Sequence, residues 1–324
     1  MIKPIQPKLI YSPNYDLKFL GLEKLHPFDG CKYSKAWNEL KKRFGSKLDR
    51  LLISPSREAS IDELSLVHDR DYLAHSLSNP RYLAQALELF PLASLPYPLI
   101  NRSILKPMRL ATMGTMIAAK CALEHGLAVN LSGGYHHASQ DSGEGFCLYS
   151  DIGVAVRTLI EDNPVDEGDN MVIIDLDVHQ GNGLERIFYN DPNVYILDMY
   201  NQDIYPQDYV AQNRINYDIP LPSQTEDDFY LNTLEKQMVR LIEETKNPKI
   251  AFYNAGTDIY WEDPLGNLNI SAQGILERDR LVLNMMADAN IPCVMVLSGG
   301  YTHENYKLIA NSLSFIIEEF CQRI

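Results

Sequence analysis

Asp175, Asp177 and His179 close the run Ile173-Ile174-Asp175-Leu176-Asp177-Val178-His179 and stand two residues apart. Side chains at that spacing share one face of a strand, so an extended backbone through residue 179 would project all three together. Gly181 and Gly183 follow at once, as a turn at a strand end requires. Zinc accepts imidazole nitrogen and carboxylate oxygen, which makes Asp177 and His179 candidate ligands. Asp258, at the end of Asn254-Ala255-Gly256-Thr257-Asp258, is a candidate third ligand. Three protein ligands with open positions form the pattern of a catalytic zinc site. His136 and His137 follow Gly133-Gly134 and could act on a water in such a site. Tyr301 follows Ser298-Gly299-Gly300 and offers a hydroxyl to a developing oxyanion.

Each piece alone has a plainer reading. A lone Asp at a strand end caps a helix or makes a turn, and Gly-Gly-Tyr alone is a turn. The combination is harder to explain that way, provided the fold brings the pieces together. Short apolar runs at 128–131, 171–176, 194–197, 250–253 and 292–297 read as buried strands. Helical patterns at 109–124, 152–161, 225–245, 275–289 and 306–321 alternate with them. This alternation predicts an α/β fold, with a central parallel sheet flanked by helices on both faces. Ligand sites in such sheets gather at the carboxyl ends of the strands, where all the candidate residues fall. The proline-rich stretches at 91–98 and 220–222 read as loops. No repeat or flexible linker divides the chain, so one catalytic domain over residues 1–324 is expected.

The chain has 324 residues, ample for a large core. Its net charge of -14 and lack of a dense Lys/Arg run argue against phosphate-backbone binding, so no direct nucleic-acid partner is expected. Cys31, Cys121, Cys147, Cys293 and Cys321 form no Cys-x-x-Cys pair. Their scatter fits reduced, mostly buried thiols. No signal-peptide core or membrane-length apolar run is present, which predicts a cytoplasmic location.

With these motifs in view, the sequence resembles the zinc-dependent histone deacetylases, and within them class IV, over almost its whole length. The resemblance begins at Tyr11-Ser12-Pro13 and Gly21-Leu22-Glu23-Lys24-Leu25-His26-Pro27-Phe28-Asp29. It continues through Arg57-Glu58-Ala59-Ser60, Val67-His68 and Gly145-Phe146-Cys147. Its most specific parts are Asp177-Val178-His179-Gln180-Gly181-Asn182-Gly183, Tyr253-Asn254-Ala255-Gly256-Thr257-Asp258 and Ser298-Gly299-Gly300-Tyr301. The resemblance implies an arginase-like fold and hydrolysis of Nε-acyl-lysine amides in proteins or peptides. It implies zinc on Asp177, His179 and Asp258, with iron(II) able to replace it. It implies His136 and His137 as the tandem histidines, His137 being the general base and acid. Asp175 would orient His136, and Tyr301 would polarise the scissile carbonyl. Phe146 and Tyr205 would form opposite walls of an acyl-lysine tunnel, with Gly145 and Gly300 beside them. A structural potassium ion is implied at the backbone of Asp175, Asp177, His179 and Met199 and the side chain of Asp198. His26, Asp29 and His68 also match the family and are read as structural.

Asn182 stands where class I members carry Asp. Asn can hydrogen-bond His137 but supplies no charge. Resemblance to class IV also implies better removal of long fatty acyl chains than of acetyl. Rival readings are an acylpolyamine or small-amide deacetylase, and a metal-bearing acyl-lysine reader that does not turn over. An arginase-like site with paired manganese would need further carboxylate and imidazole ligands, which the motifs do not supply. The oligomeric state is left open.

Overall fold

The computed structural model describes residues 5–18 and 27–321; His26 and the segment before it, from residue 19, lie outside them. Eight strands form one sheet: β1 (Lys8–Ile10), β2 (Leu52–Ile53), β3 (Leu127–Asn130), β4 (Met171–Asp175), β5 (Val194–Asn201), β6 (Tyr217–Leu221), β7 (Ile250–Asn254) and β8 (Cys293–Val296). Their order is β2-β1-β3-β8-β7-β4-β5-β6, and every pairing is parallel. The principal α-helices are α1 (Lys32–Phe44), α2 (Pro80–Ala86), α3 (Lys106–His125), α4 (Asp151–Glu161), α5 (Asn182–Ile187), α6 (Asp227–Glu244), α7 (Ala272–Asp288) and α8 (Asn305–Phe320).

The period of two along the interior strands divides the core into two layers. Val129, Val172, Ile174, Ala251, Tyr253 and Met295 face one side, where α1, α6, α7 and α8 pack. Ala128, Ile173, Phe252, Val294 and Val296 face the other, where α2, α4 and much of α3 pack. Strands covered on both faces must be apolar throughout, which is why they read as unbroken hydrophobic runs. Among the described residues, no helix is long and apolar enough to cross a membrane.

Three strands were not anticipated. β1 and β2 are too short for a periodic signal. β6 contains Pro220, in a stretch the sequence predicts as a loop, and alternates buried with exposed residues. It is one edge of the sheet, paired only with β5, and an edge tolerates a residue with no N–H to donate. The stretch at 91–98 is likewise not plain loop. It holds short helical segments, Phe90–Ser94 and Tyr97–Ile100, each with Pro in its first turn, where a missing N–H costs little. All five cysteines are free. Cys147 and Cys293 are buried, but Cys31, Cys121 and Cys321 are only half-buried.

His68 serves the fold. Its Nε2 accepts the backbone N–H of Ser150 at 2.9 Å, one residue before α4. Burial lowers its pKa to about 4. The folded state thus keeps His68 neutral while an unfolded imidazole takes a proton near 6.5. Between those values the unfolded chain binds more protons, so stability rises with pH and is lost as pH falls from 6.5 towards 4. By pH 4 the loss is about 3 kcal/mol. His68→Gln should remove this component from the difference between urea-unfolding curves taken at pH 7 and pH 4.5. An unchanged difference would show that His68 is not the titrating group.

Candidate active site

Four neighbouring strands, β3, β8, β7 and β4, release their carboxyl ends side by side, and each leads into a segment bearing candidate residues. The loop after β3 turns through Gly133 and Gly134, both at positive φ. Buried Asp151, at the start of α4, accepts the N–H groups of Gly134 (3.1 Å) and Tyr135 (2.8 Å). This places His136 and His137, with ring centroids 4.1 Å apart.

The strand β4 ends at Asp175, so the extended run expected through His179 does not persist. Successive carboxylates hold the next residues instead. Asp175 Oδ1 accepts the N–H of Asp177 at 3.2 Å, and Asp177 Oδ1 accepts that of His179 at 3.0 Å. Such Asx turns let an acidic side chain stand in for a backbone acceptor. Asp258, from the loop after β7, accepts the N–H of Val178 at 3.1 Å. Gly299, after β8, donates its N–H to Asp177 Oδ2 at 2.8 Å. A Cβ at Gly299 would collide with the Asp258 and Asp177 carboxylates.

Asp177, His179 and Asp258 each offer a ligand atom within 4.8 Å of the others, and all three are buried. Asp258 Oδ2 is buried without a hydrogen-bond partner and lies 3.4 Å from His179 Nδ1. Burial opposes charge on His179, but Asp177 and Asp258 raise its pKa to about 10. A site that attracts a proton so strongly carries a negative potential, and a binding divalent cation displaces that proton. The donor set and the unpartnered oxygen fit a metal ion.

The tandem histidines differ sharply. His136 Nδ1 lies 2.9 Å from Asp175 Oδ2, and Asn254 Nδ2 donates to Asp175 Oδ1 at 2.8 Å. Burial works against charge on His136, but Asp175 and Asp177 outweigh it and raise its pKa to about 9. His137 Nδ1 lies 2.8 Å from Asn182 Oδ1. Burial, then the neighbouring His136 and His179, holds His137 well below the ordinary imidazole value. His137 is therefore neutral at pH 7. Its Nδ1 faces a carbonyl oxygen, so Nε2 is the acceptor.

Tyr301 packs edge-on to Phe146 and His179, at 5.9 and 6.3 Å between ring centroids. Burial, then Asp258 and Asp177, keeps its hydroxyl protonated well above pH 10, so it can donate. Gly145 and Phe146 line the same cavity as His136, His137, Asp177 and Tyr301. Gly145 has positive φ, and a Cβ there would strike the His137 ring. Tyr205 is not in that lining, but its ring lies 5.2 Å from His137. Gly300 departs from the tunnel-wall expectation. A Cβ there would meet Asn305 and Thr257, and its positive φ turns the chain into Tyr301. Asp198 pairs in register with Asp175 and accepts the Gly181 N–H at 2.8 Å, while its other oxygen is buried and unpartnered. Met199 follows in β5, fully buried.

Sequence reading missed Lys32. Its fully buried ammonium donates to the carbonyls of Ser298 (2.7 Å), Gly299 (3.1 Å) and Gly300 (3.4 Å), gripping the turn that carries Tyr301. Burial lowers its pKa to about 8, against the pull of Asp258 and Asp177. A lysine in an amphipathic helix gives no sign of this in one dimension.

A family model described as the histone deacetylase domain matches residues 26–315. The chain belongs to the histone deacetylase family. "Histone deacetylase 2" of Arabidopsis thaliana is 40% identical over 305 residues, covering 94% of this chain and 77% of the relative. The acetoin utilization protein AcuC of Bacillus subtilis is 29% identical over 288 residues, covering 84% and 71%. The crystal structure of a histone deacetylase homologue complexed with SAHA superposes with a TM-score of 0.75 at 24% identity, covering 99% of this chain and 84% of that one. The fold is therefore the arginase-like fold of histone deacetylases. Family membership implies a metal-dependent hydrolase of acylated amines.

Asp258→Ala should abolish stoichiometric divalent-metal binding, read by elemental analysis after dialysis, with the far-ultraviolet circular dichroism unchanged. Full metal retention would remove Asp258 from the ligand set.

Proposed function

We propose that this histone deacetylase family member is a zinc-dependent hydrolase of Nε-acyl-lysine amides in proteins or peptides, and that it favours long acyl chains over acetyl. The observation that carries the chain-length reading is the cavity wall. Leu17, Leu87, Leu89, Ile104 and Met108 line the same cavity as His136, His137 and Tyr301. An acetyl group leaves such a wall uncovered. Each buried methylene is worth about 0.8 kcal/mol, so two or three favour a longer chain by roughly tenfold to fiftyfold.

Asp177, His179 and Asp258 would hold the ion, and zinc suits two carboxylates and an imidazole. Iron(II) accepts the same donors, and availability decides between them. The bound ion supplies Lewis acidity to the scissile carbonyl and the attacking water. The chain's residues do the rest. His137, neutral and with Nε2 as acceptor, takes the water's proton as it attacks. The Tyr301 hydroxyl donates to the oxygen that gains charge. His137 then returns the proton to the departing lysine amine. His136, charged and held by Asp175, adds positive potential beside the reacting carbonyl. Phe146 flanks the acyl-lysine stem, and Tyr205 stands nearer the mouth.

A potassium ion beside this site would be one way to satisfy the Asp198 carboxyl, since hard oxygen donors suit such a cation; a proton shared with the neighbouring Glu185 carboxyl is the other. Burial, then Asp175 and Glu185, raises the Asp198 pKa well above the ordinary carboxylate range, a strain that a cation relieves.

The test is hydrolysis of matched peptides bearing acetyl-, octanoyl- and myristoyl-lysine, alongside an acylpolyamine. Faster turnover of the long-chain peptides, abolished by a chelator, is the expected result. Preference for acetyl would overturn the chain-length reading, and turnover of the acylpolyamine alone would overturn the protein-substrate reading. Tyr301→Phe should lower kcat by about a hundredfold or more, the scale of losing one oxyanion donor, with bound metal unchanged. Retained activity in that variant would remove Tyr301 from the chemistry.

A further inference from the structure

Asn182 gives His137 no charge of its own, but it has a second partner. Its Nδ2 donates to Glu144 Oε1 at 2.5 Å, while its Oδ1 faces His137 Nδ1 at 2.8 Å. Asn182 is 2% exposed and its bond to His137 is buried, while the Glu144 end is partly buried, so water competes least at the imidazole. Glu144 is itself held in place. Its carbonyl accepts the Cys147 N–H at 2.9 Å, and Gly143 beside it donates to the Tyr82 hydroxyl at 2.7 Å.

The two ends of an asparagine amide have nearly the same shape and opposite hydrogen-bonding character. Packing alone cannot fix which end meets His137. A carboxylate only accepts, so Glu144 selects the Nδ2 end and leaves Oδ1 for the imidazole. An amide turned the other way would present N–H to Nδ1. The His137 proton would then move to Nε2, the atom that must accept. The charge on Glu144 also polarises the amide and strengthens its carbonyl as an acceptor.

We propose that Glu144 is a positioning residue for His137, acting through Asn182 to fix the Nδ1–H tautomer that leaves Nε2 open. The inference rests on the deacylase reading above. It adds that the carboxylate missing at position 182 is supplied from one side chain further away. Glu144 lies between Gly143 and Gly145, in the loop that also presents Phe146 to the cavity.

The test compares Glu144→Leu, Glu144→Gln, Asn182→Asp and the double variant Asn182→Asp/Glu144→Gln, each zinc-loaded, on the acyl-lysine peptide the wild type cleaves best. Glu144→Leu should lower kcat about tenfold or more, within the range general-base catalysis contributes, with KM little changed. Glu144→Gln keeps an acceptor oxygen and should fall between Glu144→Leu and the wild type. Asn182→Asp sets two carboxylates against each other and should be impaired. Adding Glu144→Gln to it replaces the clash with an amide donor and should raise kcat, the reverse of its effect in the wild type. A purely structural Glu144 predicts the same factor in both backgrounds, and that result would overturn the proposal, as would wild-type kcat in Glu144→Leu. Nitrogen-15 imidazole spectra provide a readout that needs no turnover. The His137 Nδ1–H signal should be lost or averaged in Glu144→Leu, and its persistence would overturn the proposal. A wild type inactive on every acyl-lysine peptide would instead strike the deacylase reading.

Discussion

A cluster of carboxyl groups buried at one end of a parallel sheet is the constraint from which the rest of this structure follows. Asp175, Asp177, Asp198 and Asp258 are each at most 1% exposed and lie on β4, β5 and the segments that follow β4 and β7. Carboxylates removed from water are tolerable only when donors and cations surround them. The backbone supplies much of this. Gly181, Val178, His179 and Gly299 all turn N–H groups onto these oxygens. Cations supply the remainder. His136 takes a proton, and the triad of Asp177, His179 and Asp258 would hold a divalent ion. On the far side of these turns, buried Arg278 pairs with Asp279 and donates to the carbonyls of Leu176 and Gly256. It ties together the two segments that carry Asp177 and Asp258.

The same field divides the labour of the two adjacent histidines. Both are buried, and burial alone would make both neutral. His136 faces a carboxylate and is charged near neutral pH, whereas His137 faces an amide and is not. Neighbouring groups whose environments push their pKa values apart are the usual mark of an assigned acid and base. Here Asp175 and Asp177 outweigh burial at His136, whereas at His137 burial and the two neighbouring imidazoles outweigh what the Asn182 carbonyl can offer.

How much of this could be read in one dimension depends on whether a residue announces itself locally. The interior strands were legible because burial on both faces demands uninterrupted apolar residues, as in Met171–Asp175. The ligand motifs were legible because carboxylates and imidazoles directly after such strands are costly without a purpose. The edges were not. β2 has two residues, and β6 carries a proline that only an edge strand accepts. Nor were the supporting residues legible. Lys32 sits in an ordinary amphipathic helix, and Glu144 sits among loop glycines. Their roles depend on partners 266 and 38 residues away, contacts that only the assembled sheet creates. Asp175, Asp177 and His179 show the intermediate case. They were recognised by alternation along a strand, yet Asx turns rather than strand geometry set the last two in place.

The residues proposed for chemistry and those proposed for chain-length preference come from different parts of the chain. The candidate ligands and tandem histidines hang from the ends of interior strands, where parallel ladders on both sides fix the backbone. The apolar end of the cavity is built from elsewhere: Leu87 and Leu89 follow α2, while Ile104 and Met108 flank the start of α3. None of these belongs to the sheet. Side chains there belong to the apolar layer on one face of the sheet, and none of them is a candidate ligand. A fold retained at 24% identity fits this division, since the sheet requires only apolar strands and a few fixed turns. On the proposed reading, acyl-chain preference would be set by packing at this end of the cavity, apart from the residues proposed for metal binding, proton transfer and carbonyl activation.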